Sequence, residues 1–239
     1  MQYLQNESNY LQEYTNDRSI YMESPYPLSL YKEILSEIKA NKKYILREFM
    51  DLGMTEKYTS FYIRHDIDTG NCLSQISKLL DIDKAYNVKS GVYFRADDEE
   101  YVLADCAETV NKYAADGFEF GLHTVCYKSD NYFDLFEKEL DYFHSSLGFA
   151  PKSFTVHGLG KYRLEIRMKF CNEVVDLLSK YHIKFTDCNE NLRKYDYVLQ
   201  DCHWNDIKKT RYLKDDVIKL PFPLNMKNYL FLTHPCYWI

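Results

Sequence analysis

The chain has 239 residues, enough for one large domain, and its 46% hydrophobic and 28% charged composition is that of an ordinary globular protein. A formal charge of −6 offers phosphates no net positive field, which argues against nucleic acid as a partner. No apolar stretch reaches the roughly 18 residues of a transmembrane segment.

Residues 1 to about 28 are polar and Tyr-rich and end in Ser24-Pro25-Tyr26-Pro27, which reads as an arm, because each Pro disfavours helix in the residue before it. Over 28–52 the apolar residues Leu30, Ile34, Ile38, Ile45 and Phe49 fall at helical spacing, so one or two amphipathic helices are expected. Strands and helices then alternate. Strands are expected at 61–63, 91–94, 117–122, 153–156 and 183–186, and helices at 73–86, 101–115, 130–146 and 172–181. Residues 216–220 and 229–233 are two further candidate strands. That alternation implies βα units on a parallel sheet. The expected fold is an α/β, distorted (β/α) barrel of about seven parallel strands over 58–239, with an arm and helical extension over 1–57.

Seven cysteines, an odd number with no CxxC pair, read as reduced thiols. Residues 1–18, with Glu7, Glu13 and Asp17, lack the basic start and apolar core of a secretory signal, so a cytoplasmic protein is expected. The 23 Tyr and 14 Phe serve equally as fillers of half-buried positions or as platforms for sugars.

Polar residues gather where strands end. Asp66, Asp68, Arg95, His123, His157, Asp187 and His234 each follow an apolar run, and in parallel βα barrels that rim is where sites form. In Arg64-His65-Asp66-Ile67-Asp68 the two acids point to the same side and crowd one another. A divalent ion resolves that conflict by taking one carboxylate as ligand and leaving the other as a base. His123, His157 and His234, each beside a Gly, Thr or Pro, suit zinc or a similar ion, or an acid and base on either side of a water. A solvated loop with Asp capping the next helix is the plain alternative for the acidic run.

The order of these motifs resembles the polysaccharide deacetylase (NodB-homology) family of metal-dependent carbohydrate esterases. Arg64-His65-Asp66-Ile67-Asp68 is similar to its first motif and Glu119-Phe120-Gly121-Leu122-His123-Thr124 to its second. Phe231-Leu232-Thr233-His234-Pro235 is similar to its last. Val156-His157-Gly158 and the terminal Thr-His-Pro-x-x-Trp look most like a divergent subgroup from bacterial surface-polysaccharide clusters. The resemblance implies removal of an N- or O-acetyl group from a sugar, sugar nucleotide or glycan precursor by a metal-activated water. It also implies one divalent metal ion, zinc first among the candidates. Carried onto this sequence, Asp66 is the base, His234 the acid, and Asp68 and His123 are metal ligands.

Two departures stand out. The second motif normally has another His four residues after the first, where this chain has Tyr127, and the third motif's Arg and prolines are replaced by Val156-His157-Gly158. His157 is therefore expected to supply the third ligand. Arg95 is assigned to an anionic substrate group, Asp187 to orienting a His or Arg, and Trp204 to a sugar face or to packing. Hydrolysis of another C–N bond, or a degenerate glycan-binding relative, are the competing readings.

Overall fold

The computed structural model describes residues 26–49, 51, 58–158, 164–186, 195, 197–201 and 228–239. The arm before residue 26, the candidate strand at 216–220, Asp187 and Trp204 lie outside them.

The described helices are α1 (Leu28–Ala40), α2 (Gly70–Ala85), α3 (Ala107–Ala114), α4 (Tyr132–Leu147) and α5 (Leu164–Glu173). The strands are β1 (Tyr44–Leu46), β2 (Thr59–Ile67), β3 (Gly91–Phe94), β4 (Glu119–Thr124), β5 (Ser153–Val156), β6 (Phe185–Thr186), β7 (Tyr197–Gln200) and β8 (Asn228–Thr233). Seven strands run in the order β6-β5-β4-β3-β2-β8-β7, and every pairing is parallel. The sheet curls into a distorted (β/α) barrel with helices between its strands. β1 lies off this path, against Thr59, Ser60 and Phe61 of β2, while β3 takes Arg64 to Ile67 further along.

The helix boundaries have local causes. Thr69 caps α2 by accepting from the Cys72 amide at 3.3 Å. Gly148 ends α4 in the left-handed conformation (φ 82°), its N–H returning to His144. Three expectations are corrected. Ile45 lies in a strand and Phe49 beyond it, because the residues after α1 find an open edge of β2. The helix expected over 172–181 lies upstream and ends at Glu173, followed by a 3-10 turn over Val174–Leu177. β7 was not expected at all.

Alternation along the strands sorts the side chains. Outward residues Ile67, Val92, Phe94, Phe120, Leu122, Phe154 and Val156 pack with α2, α3 and α4. Phe61, Ile63, Tyr229 and Phe231 pack with Tyr31 and Leu35 of α1. The barrel interior is closed by Tyr62, Tyr93, Phe185, Leu230 and Leu232, with Phe49 against them. This apolar floor sits below the inward residues Arg64, Asp66 and His123. Gly121 makes room for it, since a Cβ there would stand 2.4 Å from Tyr93 Cε1 and 2.8 Å from the Ser153 carbonyl oxygen.

Gly121→Ala is therefore expected to cost about 1–3 kcal/mol through overpacking. Urea denaturation measures this, and an unchanged midpoint would contradict the close approach.

Candidate metal centre

Arg64, Asp66 and Asp68 alternate with His65 and Ile67, so the first three share the inner side of β2. Arg64 closes onto Asp66 with both nitrogens, Nε donating to Oδ1 at 2.7 Å and Nη2 to Oδ2 at 2.5 Å. Its guanidinium lies over the Tyr93 ring, 5.4 Å from the centroid. Burial would raise the Asp66 carboxyl, but the charge and hydrogen bonds of Arg64 and the charge of His123 bring it below the ordinary value. The crowding expected between the two acids is thus answered first by Arg64. The sequence signal was available, because residues two apart on a strand share a face.

Asp68 stands at the end of β2, and three imidazoles converge on it. His123 Nε2 is 3.3 Å from Oδ1, and His157 Nε2 and His234 Nε2 are each 3.4 Å from Oδ2. Burial opposes the charged carboxylate, yet contacts from His123 and His157 and the charges of His234 and His123 hold Asp68 well below the usual range. Burial pushes the His157 imidazole down, towards the neutral form that can ligate.

Asp68, His123 and His157 can each offer one ligand atom, all within 4.8 Å of one another. His123 Nε2 faces one Asp68 oxygen and His157 Nε2 the other, so the carboxylate lies between the two imidazoles. These gaps exceed ordinary hydrogen bonds. Asp68 Oδ1 and His157 Nδ1 are buried without a hydrogen-bond partner. A carboxylate with two imidazoles suits a borderline divalent cation, so the residues present fit the expected metal.

The remaining groups brace this one. His123 Nδ1 lies 2.6 Å from Thr155 Oγ1, which leaves Nε2 facing the carboxylates. His234 Nδ1 lies 2.7 Å from Asp201 Oδ1, while Asp201 Oδ2 accepts from the His234 amide at 2.6 Å and from Trp238 Nε1 at 2.8 Å. Burial works against a charged His234, but Asp201, by charge and hydrogen bond, with Asp68 and Asp66, raises it to about 10.

Asp201 and Thr155 were missed from the sequence. Tyr197-Val198-Leu199-Gln200-Asp201 has the same form as the other rim motifs, an apolar strand ending in an acid, and could have revealed the first. Tyr127 is buried and donates from its hydroxyl to the His157 carbonyl at 2.5 Å. Arg95 donates from Nη1 to the Asp68 carbonyl at 3.0 Å and pairs with Asp97 and with the exposed Glu99. His65 faces outward between Thr233 and Asp83.

The fold and the rim together define a (β/α) barrel with an Asp/His donor group at the C-terminal ends of its strands. Among solved structures the chain is similar to wild-type BA3943, described as a CE4 family pseudoenzyme from Bacillus anthracis, at 11% identity and a TM-score of 0.44, covering 75% of this chain and 57% of that one. It is also similar to a BA3943 mutant with restored enzymatic activity (12%, 0.46, 74% and 57%) and to the polysaccharide deacetylase Bc1974 from Bacillus cereus (12%, 0.42, 74% and 79%). The chain spans 57% of the length of the BA3943 structures, and the likeness is one of fold. No family model and no curated protein matches the sequence.

Glu139, on α4, reaches the segment after His123. It accepts from the Thr124 hydroxyl and from the Val125 amide, the latter at 3.0 Å. Burial raises its pKa from 4.5 to about 8, against the lowering effect of those two bonds. A carboxyl raised in the folded state binds more protons folded than unfolded, so its contribution is complete below pH 4.5 and is lost as pH rises through about 8. Unfolding free energy should fall over that window on the order of a few kcal/mol. Glu139→Gln should flatten the decline, as read by denaturant midpoints across pH; equal slopes in both proteins would refute the assignment.

Proposed function

We propose that the protein is a metal-dependent hydrolase that removes an acetyl group from an N- or O-acetylated sugar or glycan precursor. The observation that carries this reading is the convergence of His123, His157 and His234 on Asp68, beside a second carboxylate held by Arg64. Asp68, His123 and His157 would hold the divalent cation, zinc first among the candidates. Bound there, it supplies polarisation of the acyl carbonyl and acidification of a water.

The other residues divide the proton work. Asp66 is kept ionised and aimed by Arg64, so it is the group able to take a proton from the attacking water. Its lowered pKa keeps it in the ionised, proton-accepting form at neutral pH. His234 is held protonated by Asp201 and donates from Nε2 to the departing nitrogen or oxygen of the sugar. The two carboxylates therefore have opposite tasks, one a proton acceptor and one a ligand. Asp187 is assigned to orienting a His or Arg, and Trp204 to a sugar face or to packing, as the sequence suggests.

Acetate release from N-acetylated and O-acetylated sugars, before and after chelation, tests the proposal. Asp66→Asn should lower turnover by about 10²–10⁴-fold while metal stays bound. Chelator-insensitive release, or full turnover by Asp66→Asn, would overturn it.

A further inference from the structure

The donors differ in how they are oriented. His123 has Thr155 behind it and His234 has Asp201. His157 Nδ1 and Asp68 Oδ1 have no hydrogen-bond partner, so no such bond aims either side chain from behind. Their orientation has to come from the main chain, and both main chains are tied to one turn.

That turn is the 3-10 segment Cys126–Lys128, three residues beyond His123. Tyr127, 1% exposed, donates to the His157 carbonyl at 2.5 Å. The neighbouring Lys128 Nζ reaches Asp97 Oδ2 at 2.9 Å and Glu99 Oε2 at 2.5 Å. Asp97 grips the Arg95 guanidinium, Nε to Oδ1 at 3.1 Å and Nη2 to Oδ2 at 2.5 Å. Arg95 Nη1 ends the chain on the Asp68 carbonyl at 3.0 Å. Glu139 and Thr124 anchor the start of the turn through the amides of Val125 and Cys126. From consecutive residues, one turn thus reaches His157 on one side and Asp68 on the other, with His123 on its own strand.

We propose that the Cys126–Lys128 turn is a positioning element that sets the separation of Asp68, His123 and His157, with Tyr127 and the Lys128–Asp97–Arg95 chain as its two arms. This rests on the metal reading given above. Tyr127, where a ligating His was expected, acts through the His157 main chain, and Arg95 acts through Asp68.

Cobalt(II) titration of the chelator-stripped full chain, read by d–d absorption, tests this, with thermal unfolding of the stripped protein alongside. Tyr127→Phe removes one hydroxyl and should weaken cobalt binding by about 10–100-fold, the usual effect of losing a partner behind a ligand. Its band intensities should also change while the stripped protein still unfolds cooperatively, with a melting point lower by only about 2–4 °C. Lys128→Met should act in the same direction, and Lys112→Met, which removes an exposed lysine paired with Asp81 on α2, should not. Wild-type affinity and spectrum in Tyr127→Phe would overturn the positioning role while leaving the metal reading intact. Failure of the unmodified chain to bind cobalt would overturn the metal reading and this one with it. If Tyr127→Phe unfolds, Lys128→Met decides: weaker binding supports the role and unchanged binding overturns it.

Discussion

Asp66 and Asp68 lie two residues apart at the end of one strand, with both side chains on the inside of the barrel, where water screens them poorly. Two carboxylates so placed repel one another unless cations or donors are brought to them, and the rim is arranged around that demand. Arg64 takes Asp66 with a forked pair of bonds, and three imidazoles from β4, β5 and β8 face Asp68. Asp201 then compensates the charge that His234 carries. The floor beneath is aromatic and aliphatic, and Tyr93 presents its ring to the Arg64 guanidinium. Polar groups at the rim and apolar ones below divide the interior into a charged layer and a supporting one.

Much of this was legible because period-two patterning and rim placement are local signals. β3 and β5 lie over the residues the apolar runs marked, and Asp68, His123 and His157 come together as their strand-end positions implied. What escaped depended on partners distant in sequence. Ile45 carries a helical spacing, but an unpaired edge of β2 decides its conformation. Arg95 has Asp97 and Glu99 close by in the chain, but its bond to the Asp68 carbonyl, 27 residues back, is made only by the fold. Tyr127 read as a missing ligand, while its use, a bond to the carbonyl of a residue thirty positions on, has no signature in the chain.

The outward side of β2 is polar in one place, and this matters for alignment. His65, fully buried, lies 2.5 Å from Thr233 Oγ1 and 2.8 Å from Asp83 Oδ2, and Asp83 also accepts from Ser90 and Tyr31. A slip of one residue would carry His65 inward and push Arg64 or Asp66 into the helix layer, leaving buried polar groups unpaired on both faces. The same strand is thus held in register from two sides by different chemistry.

Asp201 has a further consequence. Its carbonyl accepts from the Tyr26 hydroxyl at 2.9 Å, its carboxylate holds His234 and Trp238, and Tyr26 itself bridges to Trp238. The environment that charges His234 is therefore assembled from residues near both ends of the described chain and from β7 between them. Contacts of such long sequence separation are entropically late in folding. A partly folded barrel would hold the Arg64–Asp66 pair, which is local to one strand, well before it held a protonated His234. Charge compensation at Asp66 is thus a matter of one strand, whereas the charge on His234 depends on β7 and β8 lying side by side.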